Sequence, residues 1–80
     1  MRFNVKQWKY LSGCWYLTKK EVEVAKLVCA GMNNEQISRR LRIAYNTVRA
    51  HLGNIYRKAG VQGKTELVLE CIEVLRKARI

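Results

Sequence analysis

One basic stretch carries the clearest chemical signal in this sequence. Positions 36–65 contain no acidic residue, and they hold seven of the sixteen lysines and arginines: Arg39, Arg40, Arg42, Arg49, Arg57, Lys58 and Lys64. Because arginine and lysine bind phosphate oxygens by charge-assisted hydrogen bonds, this stretch favours a polyanion such as nucleic acid as its partner. A solvated surface that only keeps the chain soluble is the alternative.

The other chemically active side chains argue against catalysis and metal binding. The chain has no Asp, a single His (His51) and three widely spaced cysteines (Cys14, Cys29 and Cys71). No nucleophile–base pair and no cluster of metal ligands can be built from these residues. We therefore expect no enzymatic activity, no cofactor and no metal site. We expect His51 to be a packed side chain that orients its helix, and not a ligand. We expect Cys29 and Cys71 to be small core residues.

Length and composition bound the architecture. Eighty residues of which 49% are hydrophobic, with no Pro and five Gly, are typical of one small globular domain of regular elements and short connections. No apolar run approaches the ~20 residues of a membrane span or forms a signal peptide. An odd number of cysteines fits a reducing compartment, so we expect a cytoplasmic protein without membrane contact. Met1 favours a whole protein over a fragment of a larger regulator.

Aromatic residues gather at the N-terminus. Residues 1–17 hold five of the seven: Phe3, Trp8, Tyr10, Trp15 and Tyr16. The dipeptide Ser12-Gly13 is typical of a turn. We therefore predict an N-terminal arm over residues 1–17 that packs its rings on a domain formed by residues 18–80. A dimer contact and the linker of an upstream domain are the alternative roles.

Local signals predict four helices and no strands over residues 18–80. Capping boxes, in which a cap side chain and the residue three positions later bind each other's backbone amides, begin at Thr18 and at Asn33. Gly31 and Gly60 suit the left-handed residue that ends a helix. Apolar spacing then predicts a helix to about residue 30, a short helix containing Ile37, a third helix over about 45–59 and a fourth over about 64–78.

The third predicted helix is amphipathic in a way that suits nucleic acid. Its apolar stripe is Val48, Leu52, Ile55 and Ala59. The opposite side holds Asn46, Ala50, Gly53, Asn54 and Arg57, and it is flanked by Arg49 on one edge and by Thr47, His51 and Lys58 on the other. This face is small in the middle and cationic at its edges, so the helix can lie deep between two phosphate walls. A short helix and a tight turn precede it, as in a helix-turn-helix.

These residues together resemble one family. The stretches LTKKEVEVAKLVCAGMNNEQIS, LRIAYNTVRAHLGNIYRKAGV and KTEL are similar to the LuxR-type (GerE-like) DNA-binding domain of bacterial transcription regulators, and they cover about fifty residues. The combination of Thr47-Val48-Arg49-x-His51, Asn54-Ile55, Lys58 and Gly60-Val61 is more specific than a generic helix-turn-helix. The resemblance implies an all-α, four-helix domain whose third helix enters the major groove. Short stand-alone members of the family are of similar size.

The resemblance also implies roles for single residues. Arg49, Ala50 and Gly53 match groove-facing positions, to which the helical wheel adds Asn46. The positions near the sugar-phosphate backbone are Thr47, Asn54, Lys58 and Lys64, to which the wheel adds Arg57. Arg49 is the candidate for reading a guanine edge, with a phosphate clamp as the alternative.

The fourth helix is the expected dimer interface. In the family this helix often pairs two copies over a pseudo-palindromic site, which implies a homodimer here. The residues expected at the interface are Leu69, Ile72, Glu73, Leu75 and Arg76. Contact with RNA polymerase is a further partner that the sequence leaves open.

Two departures from the family pattern affect the third helix. Ala44 stands where the family usually has a Ser or Thr cap, at a cost of ~1 kcal/mol, and Asn46, Thr47 or a DNA phosphate are the candidates to replace that cap. Gly53 in mid-helix costs another ~1 kcal/mol relative to Ala. Close approach of the backbone to DNA and simple tolerance of an exposed glycine explain Gly53 equally well.

We therefore expect a sequence-specific transcription regulator that binds double-stranded DNA. The alternative is a protein-binding adaptor or anti-regulator that uses the helix-turn-helix to bind a larger transcription protein. A cationic, membrane-active peptide is a third hypothesis. The capping boxes and helix-ending glycines argue against it, because they indicate a packed helical bundle.

Overall fold

The computed structural model describes all 80 residues, which form five α-helices joined by short connections. The helices are α1 (Val5–Trp15), α2 (Lys19–Cys29), α3 (Asn34–Leu41), α4 (Tyr45–Ala59) and α5 (Lys64–Ala78). The all-α class is confirmed, and α4 and α5 have the predicted bounds. The four helices predicted for residues 18–80 are present as α2–α5, and one further helix precedes them. None of the five helices combines the length and the hydropathy that a membrane crossing requires.

The additional helix is α1, which occupies most of the predicted arm. Ser12-Gly13 lies inside this helix, so the turn predicted there is wrong. A capping box starts α1: the Gln7 amide donates to Asn4 Oδ1 at 2.7 Å, and the Asn4 amide donates to Gln7 Oε1 at 2.8 Å. Its apolar residues recur at helical spacing and are at most 9% exposed: Trp8, Leu11 and Trp15. Burial of this stripe outweighs the ~1 kcal/mol that a mid-helix glycine costs.

The first three helices begin with the same six-residue pattern. An apolar residue precedes the cap, the partner of the capping box comes three residues after the cap, and a second apolar residue follows. The three instances start at Phe3, Leu17 and Met32, and the two boxes predicted from the sequence are both confirmed. This spacing is that of a hydrophobic staple. In α1 the rings of Phe3 and Trp8 meet edge to face, with 5.6 Å between their centroids.

A single core unites the helices. Helix α2 packs on α3 and α4, whereas α1 packs on α4 and α5. Fifteen buried hydrophobic residues form this core: Trp8, Leu11, Trp15, Leu17, Val24, Ala25, Val28, Cys29, Ile37, Val48, Leu52, Ile55, Leu67, Cys71 and Leu75. Cys29 and Cys71 are core residues, as predicted. Trp8 and Trp15 lie in the core and Phe3 packs against it, as predicted, whereas Tyr10 and Tyr16 are 39% and 85% exposed, so the prediction is wrong for these two rings.

We predict that α1 is part of the cooperative fold. Leu11→Ala removes a fully buried side chain and is expected to lower the free energy of unfolding by about 2–5 kcal/mol. Val5→Ala changes an 82% exposed side chain of the same helix and is expected to change it by less than about 0.5 kcal/mol. Urea denaturation followed by circular dichroism measures both. Equal stability of the two variants would mean that α1 is not needed for folding.

Candidate nucleic-acid interface

A three-residue turn joins α3 to α4 and sets the direction of α4. Arg42 has left-handed backbone angles with φ of 56°, and its amide donates to the Ser38 carbonyl. The Ile43 amide donates to that same carbonyl at 3.1 Å, and the Ser38 hydroxyl donates to the Ile43 carbonyl at 2.7 Å. These bonds close the end of α3 and satisfy the backbone of the turn. Helices α3 and α4 therefore form a helix-turn-helix with a fixed connection.

The N-terminus of α4 lacks a side-chain cap. Ala44 occupies the cap position in an extended conformation, and no side-chain hydrogen bond is made there. The missing cap predicted from the sequence is confirmed, and neither Asn46 nor Thr47 replaces it. The Thr47 amide donates to the Ala44 carbonyl at 3.0 Å, whereas the amides of Tyr45 and Asn46 have no acceptor within the chain. They are open to an acceptor from outside the chain.

The buried stripe of α4 turns a polar face outward. Val48, Leu52 and Ile55 are at most 4% exposed. Six of the predicted DNA contacts are exposed on the opposite side: Asn46, Thr47, Arg49, Ala50, Gly53 and Arg57. His51 and Asn54 are half-buried at the edge of this face. The side chains of α4 are therefore divided between core and surface as the helical wheel predicts.

The cations on this face differ in whether another side chain of the protein already binds them. Arg49 makes no ion pair, so its full charge is available to a partner. Arg57 donates from Nη2 to Asn54 Oδ1 at 2.9 Å, which fixes its position without neutralising it, because the amide is uncharged. At Gly53 an added Cβ would meet no atom within 4 Å, so packing within the chain does not require glycine there.

Lys58 already has an anionic partner. Its ammonium donates to Glu21 Oε1 at 2.7 Å and to the Tyr16 carbonyl at 3.2 Å. Glu21 belongs to the capping box of α2, accepts from the Thr18 amide at 2.9 Å and has a side chain that is only 5% exposed. This pair joins the first turn of α2 to the last turn of α4. The sequence predicts a DNA-backbone contact for Lys58 and gives no sign of the pair with Glu21, because nothing in the local sequence indicates this partner.

Three influences act on the Glu21 carboxylate. Burial alone raises the pKa of Glu21. The hydrogen bond and charge of Lys58, together with the hydrogen bonds from Thr18, outweigh burial and lower the pKa below its ordinary value of 4.5. The carboxylate is thus held ionised in the folded protein, as an ion pair with good geometry requires.

Helix α5 offers part of the predicted dimer interface. Leu69 is 59% and Ile72 is 37% exposed, although both are large and apolar. Leu75 belongs to the core instead, so it cannot offer surface to a partner without unfolding α5. Arg76 donates to both carboxylate oxygens of Glu73, at 2.6 and 3.2 Å, and its hydrogen bond holds the pKa of Glu73 below its usual range.

Comparison with known proteins decides the family. A family model, described as bacterial regulatory proteins of the luxR family, matches residues 16–71. The chain belongs to the luxR family. It is also 35% identical over 60 residues to the HTH-type transcriptional regulator MalT of Serratia proteamaculans (strain 568). Those residues are 75% of this chain and only 7% of that relative's length. No solved structure matches the chain.

The luxR-family match covers the helix-turn-helix and leaves α1 outside. It begins at residue 16, in the connection between α1 and α2, and ends at residue 71, within α5. All the predicted DNA-contacting residues, from Asn46 to Lys64, lie inside it. The resemblance seen in the sequence is confirmed, whereas α1 is an addition to the residues that define the family here.

We predict that the Glu21–Lys58 pair makes stability depend on acid pH. Because the pKa of Glu21 is lowered on folding, its contribution is complete above 4.5 and is lost as the pH falls through the folded-state pKa. Glu21→Gln is expected to cost about 1–3 kcal/mol near neutral pH, and its difference from the unchanged chain should shrink as the solution is acidified.

The matched control for this prediction is Glu23→Gln on the same helix. Glu23 is half-exposed and lies 3.7 Å from Lys20, so its substitution should change stability by less than about 0.5 kcal/mol at any pH. Urea denaturation across the acid range measures both variants. A Glu21→Gln effect that stays constant with pH would show that ionisation of Glu21 does not stabilise the fold.

Proposed function

We propose that this chain is a sequence-specific DNA-binding unit that regulates transcription, with α4 in the major groove of double-stranded DNA. The observation that carries the proposal is the outward face of α4, which is small in its centre, cationic at its edges and rigidly backed by the core. Membership of a family of bacterial regulatory proteins supports it, and so does the name of the MalT relative, a transcriptional regulator. Since bacterial DNA lies in the cytoplasm, we assign the chain to that compartment.

The contacts follow from the position of each side chain on α4 and, for Lys64, from its position at the start of α5. Arg49 is free to donate two hydrogen bonds to O6 and N7 of a guanine, as arginine commonly does in the major groove. Ala50 and Gly53 let the helix approach the bases, and Asn46 lies one turn nearer to the start of the helix. Thr47, Asn54, Arg57 and Lys64 bind the sugar-phosphate backbone. The uncapped amides that begin α4 donate to a phosphate, which replaces the absent side-chain cap.

Lys58 has a positioning role in this proposal. Its ammonium holds Glu21 and thereby fixes the C-terminal end of α4 against α2. A direct contact with the DNA backbone would require Lys58 to bind a phosphate while it stays within reach of Glu21. Its half-buried side chain is compatible with that only at the edge of the interface.

The chain acts as a homodimer through α5 in this proposal. Leu69 and Ile72 supply exposed apolar surface on this helix. The charges along α5 support an antiparallel pair, because the acidic first half of one copy then lies opposite the basic second half of the other. Glu66 and Glu70 lie in the first half of the helix, and Arg76, Lys77 and Arg79 lie at its end, whereas Glu73 already pairs with Arg76 and Lys77 within the chain. Two copies related in this way suit a pseudo-palindromic site. RNA polymerase contact stays a prediction.

Removal of Arg49 should weaken DNA binding at one base position. Arg49→Ala is expected to cost about 1–3 kcal/mol of affinity for the preferred duplex and to relax the base preference there. Lys6→Ala is the control, because it removes the same charge from an exposed residue of α1 that has no part in the proposed DNA or dimer contacts. With about five phosphates neutralised per monomer, log K should fall against log salt with a slope near −4 to −5. A slope near zero, or equal affinity of the two variants, would contradict the proposal.

Gly53→Ala should change the stability of the fold and the affinity for DNA in opposite directions. Because the added Cβ meets nothing in the chain, the substitution should stabilise the fold by about 0.5–1 kcal/mol. It should also weaken DNA binding, since the methyl group would stand between the helix and the bases. Gly13→Ala is the matched control, because it too lies in mid-helix with open space around it. Unchanged DNA affinity of Gly53→Ala would show that α4 does not approach DNA closely there.

A further inference from the structure

Helices α1 and α2 enclose a groove that α4 does not line. Two adjoining depressions, of about 510 and 440 Å³, share Val5, Trp8 and Lys26 in their walls. We refer to the two together as the α1–α2 groove. Every residue that lines it lies before α4 in the chain. The groove is therefore separate from the proposed DNA interface, and it exists only because residues 5–15 form a helix.

The groove combines an apolar floor with cationic edges. Trp8 and Leu17 lie at its base, joined by half-buried aliphatic side chains of α2. Five cations line its edges: Arg2, Lys9, Lys19, Lys26 and Arg40. None of the five makes an ion pair. The single acidic residue of the lining, Glu23, is already paired with Lys20 at 3.7 Å.

Val5 lines both depressions of this groove. It is 82% exposed in the first turn of α1, more than any other large aliphatic residue of the chain. No contact within the chain requires an apolar residue there, and the cap of α1 is formed by Asn4 and Gln7. An exposed apolar side chain between unpaired cations indicates a partner that is both apolar and anionic.

We propose that the α1–α2 groove binds an acidic amphipathic segment of a partner protein. The apolar side chains of that segment lie against Val5, Trp8 and Leu17, and its carboxylates face the lysines at the edges. Charge complementarity favours this occupant, because the five unpaired cations attract carboxylates. The apolar floor favours a peptide over a ligand that offers phosphates alone, since phosphates would leave the floor uncovered. The proposal stands on the groove and does not depend on the proposed DNA function.

The test uses a defined probe and the full chain. A synthetic peptide of about 16 residues, with leucines at helical i, i+3 and i+7 spacing and glutamates elsewhere, is titrated into ¹⁵N-labelled protein and followed by amide chemical shifts. The amides of Val5, Lys9, Val22 and Lys26 should shift, and those of the outward face of α4 should not. A matched peptide with serine in place of leucine, and another with lysine in place of glutamate, should not bind.

Two pairs of variants locate the contact. Lys9→Glu should weaken peptide binding roughly fivefold or more, because it reverses a charge at the edge of the groove. Lys6→Glu makes the same charge change on α1 outside the lining residues and should leave binding unchanged. Val5→Ser should also weaken binding. This change should not unfold α1, because Val5 is highly exposed.

Four results would overturn the proposal. The peptide could shift amides of α4 or α5 instead of the groove, or the serine peptide could bind as well as the leucine peptide. Groove amides that shift with protein concentration alone would identify a second copy of the chain as the occupant. Groove amides that shift with duplex DNA, together with weaker DNA binding by Lys9→Glu, would identify the groove as a DNA contact.

Discussion

The orientation of α4 depends on the burial of three of its side chains. Val48, Leu52 and Ile55 lie in the core, and each contributes about 1.5–3 kcal/mol when fully buried. Because opposite faces of one helix are rigidly linked, the burial of this stripe turns the polar face outward. The connection after α3 fixes the start of α4, and the pair between Glu21 and Lys58 fixes its end. The proposed recognition surface is thus a consequence of core packing, and it needs no separate scaffold.

The net charge of +10 is divided among surfaces with different chemistry. Positions 36–65 carry +7 and surround the outward face of α4, whereas residues 66–80 contain three acids and three bases and are balanced. A neutral α5 with exposed apolar residues suits contact with a second copy, since a strongly cationic helix would repel its own duplicate. The remaining +3 lies in residues 1–17. Two of these charges, Arg2 and Lys9, border an apolar groove, which is a different environment from the polar face of α4.

Short-range signals in the sequence were enough to predict much of the fold. Capping boxes and apolar spacing predict α2 to α5, and the helical wheel predicts which side of α4 is buried. Helix α1 is absent from the prediction because the Ser12-Gly13 dipeptide is typical of a turn, although the sequence also contains a capping box at Asn4 with the same spacing as the other two. The partner of Lys58 could not be predicted, because 37 residues separate it from Glu21 and only the packing of α2 on α4 brings them together. Leu75 shares an i, i+4 stripe with Leu67 and Cys71, so the apolar spacing already favours the core over the predicted dimer interface for this residue.

The central claim is that α4 reads base sequence and that two copies bind together. Selection of bound duplexes from a random pool, with the full chain and a salt concentration near the physiological value, tests it most directly. The account predicts one enriched motif that contains two inverted half-sites, with centres about one helical turn of DNA apart or a multiple of that distance. A single unpaired motif would contradict the proposed dimer. A pool without any enriched motif would contradict sequence-specific recognition by α4.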